Sequence, residues 1–263
     1  MAQKGQYDGD LEKAACWEVL EKVTKVHKLK LTKIVTDRHQ GITKMIREVF
    51  AWLEHDSDVW HFSKGIKAKL RKLVKKFAKI GPWRKSIINH FWFACQRCQG
   101  DPELLIELWH SSLMHISNTH SWKSKATLNK YMKLINSKRP YPRPFKTVTG
   151  CAHPRLKNLK SRITTWLPVD SPKFSAVFQM MTNTRLCNAM KMCKSFLHTG
   201  GLENLHSVKN KYLPKRKHFS MEVHIVFMML VCLETNAHTN AISNNGVKVR
   251  KSVEYSKAAG TTC

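Results

Sequence analysis

The chain has 263 residues, and its 46 Lys and Arg residues outnumber its 18 Asp and Glu residues, which gives a net charge of +28 at pH 7. That excess does not indicate a particular fold, but it favours a polyanionic partner, of which nucleic acid is the commonest. The longest uncharged apolar run covers only 223–233, short of the roughly 20 residues that a membrane-spanning helix needs, so we expect a buried helix there and no membrane partner.

The N-terminal part of the chain alternates between helical and strand patterns. Apolar residues recur at helical spacing over 11–27 and again over 41–53, which predicts two helices. A partly alternating, β-branched stretch predicts a strand over 29–35, and 58–62 has the composition of a second short strand. The predicted order is therefore helix, strand, helix, strand.

The middle of the chain is mainly helical. We predict helices over 63–79, 83–98, 102–117 and 174–196, with proline-containing breaks over 136–154 and 166–172. The helix at 102–117 has the best-marked start, because Asp101 occupies the N-cap position and Pro102 the first helical position.

Two clusters of basic residues are candidate nucleic-acid contacts. The first is the amphipathic helix over 63–79, in a stretch nearly free of acids, and a solvated surface face is the plainer interpretation of it. The second lies near 209–217. No groove-reading motif is evident, so we expect weak sequence specificity. The candidate contacts are Lys64, Lys67, Lys69, Arg71, Lys72, Lys75, Lys76, Lys209, Lys211, Lys215, Arg216 and Lys217.

Histidine and cysteine pairs suggest a metal site. The first ten residues contain no apolar segment of a secretory signal, so we expect the eight cysteines to be reduced, as core thiols or metal ligands. Four ligands of this chemistry suit tetrahedral zinc, although no pair has a standard finger spacing, and polar packing of helix-end histidines is the alternative. The pairs are His115 with His120, Cys151 with His153, and Cys95 with Cys98. The first pair is five residues apart, which places His120 beyond the end of the helix.

Seven short motifs follow one another in order along the chain. They are VTDRHQGI (35–42), DVWHFSK (58–64), WRKSIINHFW (83–92), CAHP (151–154), WL (166–167), HTGGLENLHS (198–207) and PKRKHFS (214–220). Over roughly residues 10–260 this set resembles a family of transposase-derived animal proteins with an RNase H-like DDE core and a helical insertion.

The resemblance implies a mostly α fold with a small β component, in which a large helical insertion interrupts a truncated RNase H-like α/β core. Residues 1–62 would be the partial core, with strands bearing Asp37 and Asp58, and 63–197 the basic insertion with the possible zinc site. Residues 198–236 would be the returning core helices with Glu203, and 237–263 a polar tail. The family pattern favours His115, His120, Cys151 and His153 as zinc ligands, with Cys95 and Cys98 as alternates.

In that family, two aspartates and a glutamate hold the metal ions that activate water and the 3′-hydroxyl. Asp37 would be the second acid and Glu203 the glutamate, although a turn aspartate and a first-turn helix glutamate are plainer interpretations. The first acid belongs on an opening strand that is not in this sequence. We therefore expect a nuclear, catalytically incomplete protein that binds DNA or another nucleic acid. It would use Mg or Mn only if further sequence completed its site, and the sequence is compatible with an oligomer. The alternatives are a fragment of an active transposase or nuclease and a non-functional remnant of a mobile element.

Overall fold

The computed structural model describes residues 8–123, 128, 145–153, 166–214 and 216–244. The chain divides into two compact units, which we call unit 1 (residues up to His198) and unit 2 (residues from Thr199). In the described residues the structure is mainly helical, with one two-stranded sheet, so the expected mostly α fold with a small β component is confirmed.

Unit 1 opens with a small α/β layer. Its elements are α1 (Asp8–Glu21), which continues as a π-helical turn (Lys22–Val26), β1 (Lys33–Thr36), α2 (Gln40–Val49) and β2 (Glu54–Ser57). The two strands are parallel, in a register that pairs Lys33 with Glu54 and Thr36 with Ser57. Apolar side chains of α1, α2 and β1, with those of the adjoining loops, form a small core around Ile46, which is 1% exposed.

The prediction of a strand over 58–62 is wrong, because those residues begin α3 (Val59–Lys76). The Asp58 carboxylate accepts a hydrogen bond from the backbone N–H of His61 at 2.6 Å, so this residue caps a helix and is not borne on a strand. Val59 and Phe62, three residues apart, are both buried on one face of that helix. The second strand lies just before, at Glu54–Ser57.

The larger core of unit 1 is built from helices. They are α3, α4 (Trp83–Arg97), α5 (Pro102–Ile116), α6 (Pro172–Met181) and α7 (Thr184–Met190). Large buried aromatic side chains fill the space between them, and the rings of Phe62 and Phe91 stack 5.3 Å apart. The predicted single helix over 174–196 is divided, because the Asn183 side chain accepts from the N–H of Leu186 at 3.0 Å and caps a new helix there.

A group of charged side chains joins the sheet to the chain after α7. Asp56, 1% exposed, lies 3.4 Å from the Lys33 ammonium and 3.3 Å from that of Lys194. Both ammonium groups also contact Glu54, and Lys33 donates to the Ser195 hydroxyl at 2.5 Å. A buried carboxylate is tolerated here because two cations, from widely separated parts of the sequence, neutralise it.

Unit 2 is a helical hairpin of α8 (Gly200–Tyr212) and α9 (Met221–Asn244). The expected helix over 223–233 is present, but the expectation that it is buried is wrong for most of it: Val231 is buried, whereas Val226 and Met229 are 55% and 61% exposed. The first residues of the predicted polar tail, 237–244, belong to α9, which runs to Asn244, and the rest of that tail lies outside the described residues. None of the helices in the described ranges is both long and apolar enough to cross a bilayer.

Glu54 makes the stability of unit 1 sensitive to acid. Hydrogen bonds from Lys194 and Lys33 hold the pKa of Glu54 below its ordinary value of 4.5. A depressed folded-state pKa contributes stability that is present above the ordinary value and is lost as the pH falls through the folded-state pKa. We expect the urea midpoint of unit 1 to fall below about pH 4.5, and to fall less steeply in Glu54→Gln.

Tryptophan fluorescence follows this unit alone, since all eight tryptophans precede residue 198. Glu48→Gln is the matched control, because Glu48 is half-exposed and, within the described part of the chain, its one ion pair is with the adjacent Arg47 side chain at 3.4 Å. Equal pH profiles for wild type and Glu54→Gln would contradict the prediction.

Candidate metal centre

The end of α5 places two histidines close together. His115 lies in the last helical turn, and Asn118 reverses the chain with a positive φ of 59°. The N–H groups of Asn118 and Thr119 bond back to the carbonyls of His115 and Met114 at 2.9 and 2.8 Å. The chain therefore returns over the helix end, and His120 lies beyond it, as the spacing of five residues predicts.

A short antiparallel bridge brings in the second pair. Ser121 pairs with Gly150, the N–H of Trp122 donates to Thr149 O at 2.8 Å, and the N–H of Cys151 donates to His120 O at 3.0 Å. A Cβ atom on Gly150 would lie 3.0 Å from the His120 carbonyl oxygen, so only glycine allows this approach without a shift. The bridge thereby fixes Cys151 beside His120.

The ligand atoms of His115, His120, Cys151 and His153 all lie within 4.8 Å of one another. His115 Nδ1 is 3.4 Å from Cys151 Sγ and 3.2 Å from His153 Nε2, and His120 Nδ1 is 3.3 Å from His153 Nε2. Nitrogen and thiolate ligands at tetrahedral zinc distances would be about 3.3–3.6 Å apart. This cluster can hold a metal ion, and it uses four residues that the sequence indicates.

The surroundings of the cluster favour metal-binding forms of its ligands. His120 Nε2 lies 3.1 Å from the Asn118 side-chain oxygen, which favours a proton on Nε2 and leaves the Nδ1 lone pair toward the cluster. Burial lowers the pKa of His120, and the nearby His153 lowers it further. The rings of Trp83 and Trp166 lie 5.7 and 5.3 Å from the His115 ring and cover one side.

Glu107 holds the loop that carries Cys151 and His153. Its carboxylate accepts hydrogen bonds from three consecutive backbone N–H groups, those of Lys146, Thr147 and Val148, at 3.0, 2.9 and 3.1 Å. The same loop is held by a second side chain, because the Trp122 indole N–H donates a hydrogen bond to Val148 O at 2.6 Å. The sequence gives no signal for this role, since glutamate residues on helices usually face water.

The alternates Cys95 and Cys98 do not belong to the cluster. Both are buried, and Cys98 Sγ donates to the backbone oxygens of Cys95 and Lys194 at 3.2 Å each. Burial raises the pKa of the Cys95 thiol well above its ordinary value, and the adjacent Cys193 adds to this. These are core thiols, packed where α4 meets the chain after α7.

Asp37 follows β1 directly, as expected, and is half-exposed. Its Oδ1 lies 2.7 Å from His61 Nδ1, and Asp58 Oδ1 lies 3.5 Å from the same nitrogen. Sequence reasoning missed His61, whose position in the DVWHFSK motif is the one signal that points to it. Glu203 lies exposed in the first turn of α8. Asp37 and Glu203 are in different units, so their approach stays a prediction.

The candidate nucleic-acid residues of α3 are all exposed. In the part of the chain that the structure describes, none of Lys64, Lys67, Lys69, Arg71, Lys72, Lys75 and Lys76 forms a salt bridge with a carboxylate. The second cluster is weaker. Lys211 pairs with Glu234 at 3.1 Å, Lys209 is half-buried, and Lys215 lies outside the described residues.

Comparison with protein-family models, with curated proteins and with solved structures finds no match to this chain. The resemblance to transposase-derived proteins therefore stays a prediction from the sequence motifs.

Removing the Glu107 carboxylate should weaken metal binding without touching a ligand. We expect Glu107→Ala to lower the affinity for Co²⁺ or Zn²⁺ by about tenfold or more, the range found when outer-shell partners of metal ligands are lost. Glu107→Gln retains one acceptor oxygen and should lie between Ala and wild type. Chelator competition measures the affinity. Glu103→Ala, on the same helix and paired with Lys191, is the control. Unchanged affinity in Glu107→Ala would refute the positioning role.

Proposed function

We propose that the chain is a transposase-derived, nuclear, nucleic-acid-binding protein that does not cut DNA and whose helical body carries a structural zinc ion. The observation that supports nucleic-acid binding best is the uncompensated charge of α3. Seven exposed cations stand on one helix of about 27 Å without a carboxylate partner among the described residues. Phosphate groups are the natural counter-charge for such a surface.

The cluster fits a structural zinc ion better than a catalytic zinc ion. Three imidazoles and one thiolate complete a tetrahedral shell, and a catalytic zinc would instead retain an open position for water. Zinc bound here would tie the end of α5 to the loop containing Gly150. Because its ligands come from both segments, the metal would add to the stability of this part of unit 1.

An RNase H-like origin is supported by the parallel β1–α2–β2 order and by the position of Asp37 at the carboxyl end of β1. Two-metal chemistry needs several carboxylates that converge on both ions. The Asp37 carboxylate is instead paired with His61, and Asp58 is used as a helix cap. Among the described residues, the His115 cluster is the one group of potential ligands that can hold a metal ion.

Metal binding is tested with Co²⁺ as a spectroscopic substitute for zinc. We expect one ion per chain, a tetrahedral visible spectrum and a thiolate-to-cobalt band in the near ultraviolet. Cys151→Ala should lose the thiolate band, while Cys232→Ser, an exposed cysteine of unit 2, should retain it. A six-coordinate spectrum, or no binding, would refute a structural zinc.

Nucleic-acid binding is tested by fluorescence anisotropy at several salt concentrations. The wild-type affinity should fall steeply with salt, by a slope of about 0.9 in log K per log salt for each phosphate contacted. Replacing Lys64, Lys67, Lys72 and Lys75 by Gln should reduce that slope by about three to four. An affinity independent of salt, or no binding at low salt, would refute the proposal.

An active nuclease fragment is the second candidate, because Asp37 is half-exposed at a strand end where a catalytic acid would lie. We expect no cleavage of supercoiled plasmid by the chain with Mg²⁺ or Mn²⁺. Metal-dependent nicking that Asp37→Asn or Glu203→Gln abolishes would favour the nuclease instead.

A further inference from the structure

The cations of α3 surround more than half of the helix. With 3.6 residues per turn, the buried residues Phe62, Ile66 and Leu70 define the face that packs on the core. Lys64 and Lys75 lie almost opposite that face, and both are exposed. The exposed cations together cover roughly 200° of the circumference.

Lys64 and Lys75 define the outermost line of α3, and two flanks can be distinguished on either side of it. Flank A consists of Lys67 and Arg71, and flank B of Lys69, Lys72 and Lys76; every one of these side chains is exposed. The flanks point in nearly opposite directions: at their widest, Lys67 lies about 70° from the outermost line on one side and Lys69 about 130° on the other. The sugar-phosphate backbone of a single strand lying across the helix would contact the outermost line and at most one flank.

The same surface offers little for stacking on unpaired bases. Trp60 is the aromatic side chain of α3 that lies beside these cations. It is half-buried, and the Lys64 ammonium lies 2.9 Å from the centre of its ring. Proteins that bind single strands generally combine cations with open aromatic faces. On α3, the aromatic face is already covered by a cation.

We infer that the partner of this surface is a B-form DNA duplex, with α3 in the major groove and its two flanks on the phosphates of opposite strands. The inference rests on the proposed nucleic-acid binding and names its substrate class. The major groove, about 12 Å wide, admits an α-helix, whereas the deep, narrow major groove of A-form RNA does not admit side chains. Four of the five flank cations are lysines, which recognise phosphate as point charges, so the contact carries little sequence information.

The experiment compares three probes of one mixed sequence: a 20-base-pair DNA duplex, one of its strands, and the corresponding RNA duplex. At equal salt we expect the full chain to bind the DNA duplex at least tenfold more tightly than either other probe. Comparable affinity for the single strand or the RNA duplex would overturn the inference while leaving nucleic-acid binding intact. No binding to any probe would overturn the proposed function itself.

Two flank variants test the geometry. Lys67→Gln with Arg71→Gln removes flank A, and Lys69→Gln with Lys76→Gln removes most of flank B. Each should lower duplex affinity about tenfold and reduce the salt slope by about two, since each removes two contacts of about 0.9. Lys30→Gln with Lys44→Gln, two exposed lysines outside α3, is the matched control and should change neither quantity by comparable amounts.

Circular dichroism establishes that each variant retains the wild-type helix content. An effect of one flank only would overturn groove insertion in favour of a one-sided contact. Equal losses in the control pair would show a diffuse electrostatic attraction and would also overturn it.

Discussion

The Asp101 carboxylate begins the helix on which the rest of unit 1 depends. It accepts from the N–H groups of Glu103 and Leu104 at 2.8 and 3.2 Å and so fixes where α5 starts. Once that start is fixed, the helical repeat determines which way every later side chain points. Trp109 and His110 donate toward the Met181 carbonyl, which ends α6, at 3.0 and 3.2 Å. Glu107 and His115 point to the loop of the metal centre.

Glu107 and His115 are eight residues apart, about 12 Å along the helix axis. One contacts the loop at Lys146–Val148, and the other contacts Cys151 and His153 further along it. A rigid helix thus holds a loop of irregular structure at two points. This arrangement explains how an irregular segment can present ligands with the accuracy that a tetrahedral ion requires.

The sequence predicts the helices of unit 1 well because their signals are local. Apolar periodicity and the Asp101 cap lie within a few residues of the elements they define. The second strand could not be predicted, since Glu54–Ser57 is polar and its buried Asp56 is neutralised by Lys33 and Lys194 from distant positions. The composition of 58–62 alone favours a strand. These residues form a helix instead, because the Asp58 side chain caps the helix start.

The metal ligands show the same division between local and long-range information. Each pair is visible in the sequence, and the spacing of five correctly places His120 beyond the helix. Which pairs meet depends on the reversal at Asn118 and on the Ser121–Gly150 bridge, which joins segments about 30 residues apart. The same holds for Glu107, whose partners are backbone N–H groups some 40 residues away. Residue type does not encode such a partner, so only the fold reveals it.

The charge of the chain places opposing demands on unit 1. A net charge of +28 disfavours a compact state through self-repulsion, and the cations of α3 lack carboxylate partners among the described residues. Several carboxylates of unit 1 hold the structure at fixed points instead: Asp58 and Asp101 cap helices, Glu107 holds a loop, and Asp56 pairs with two lysines. These four acids of unit 1 are thereby committed to structure. The charge of α3 is left for an external anion, and an anion that neutralised it would also relieve the repulsion that folding must overcome.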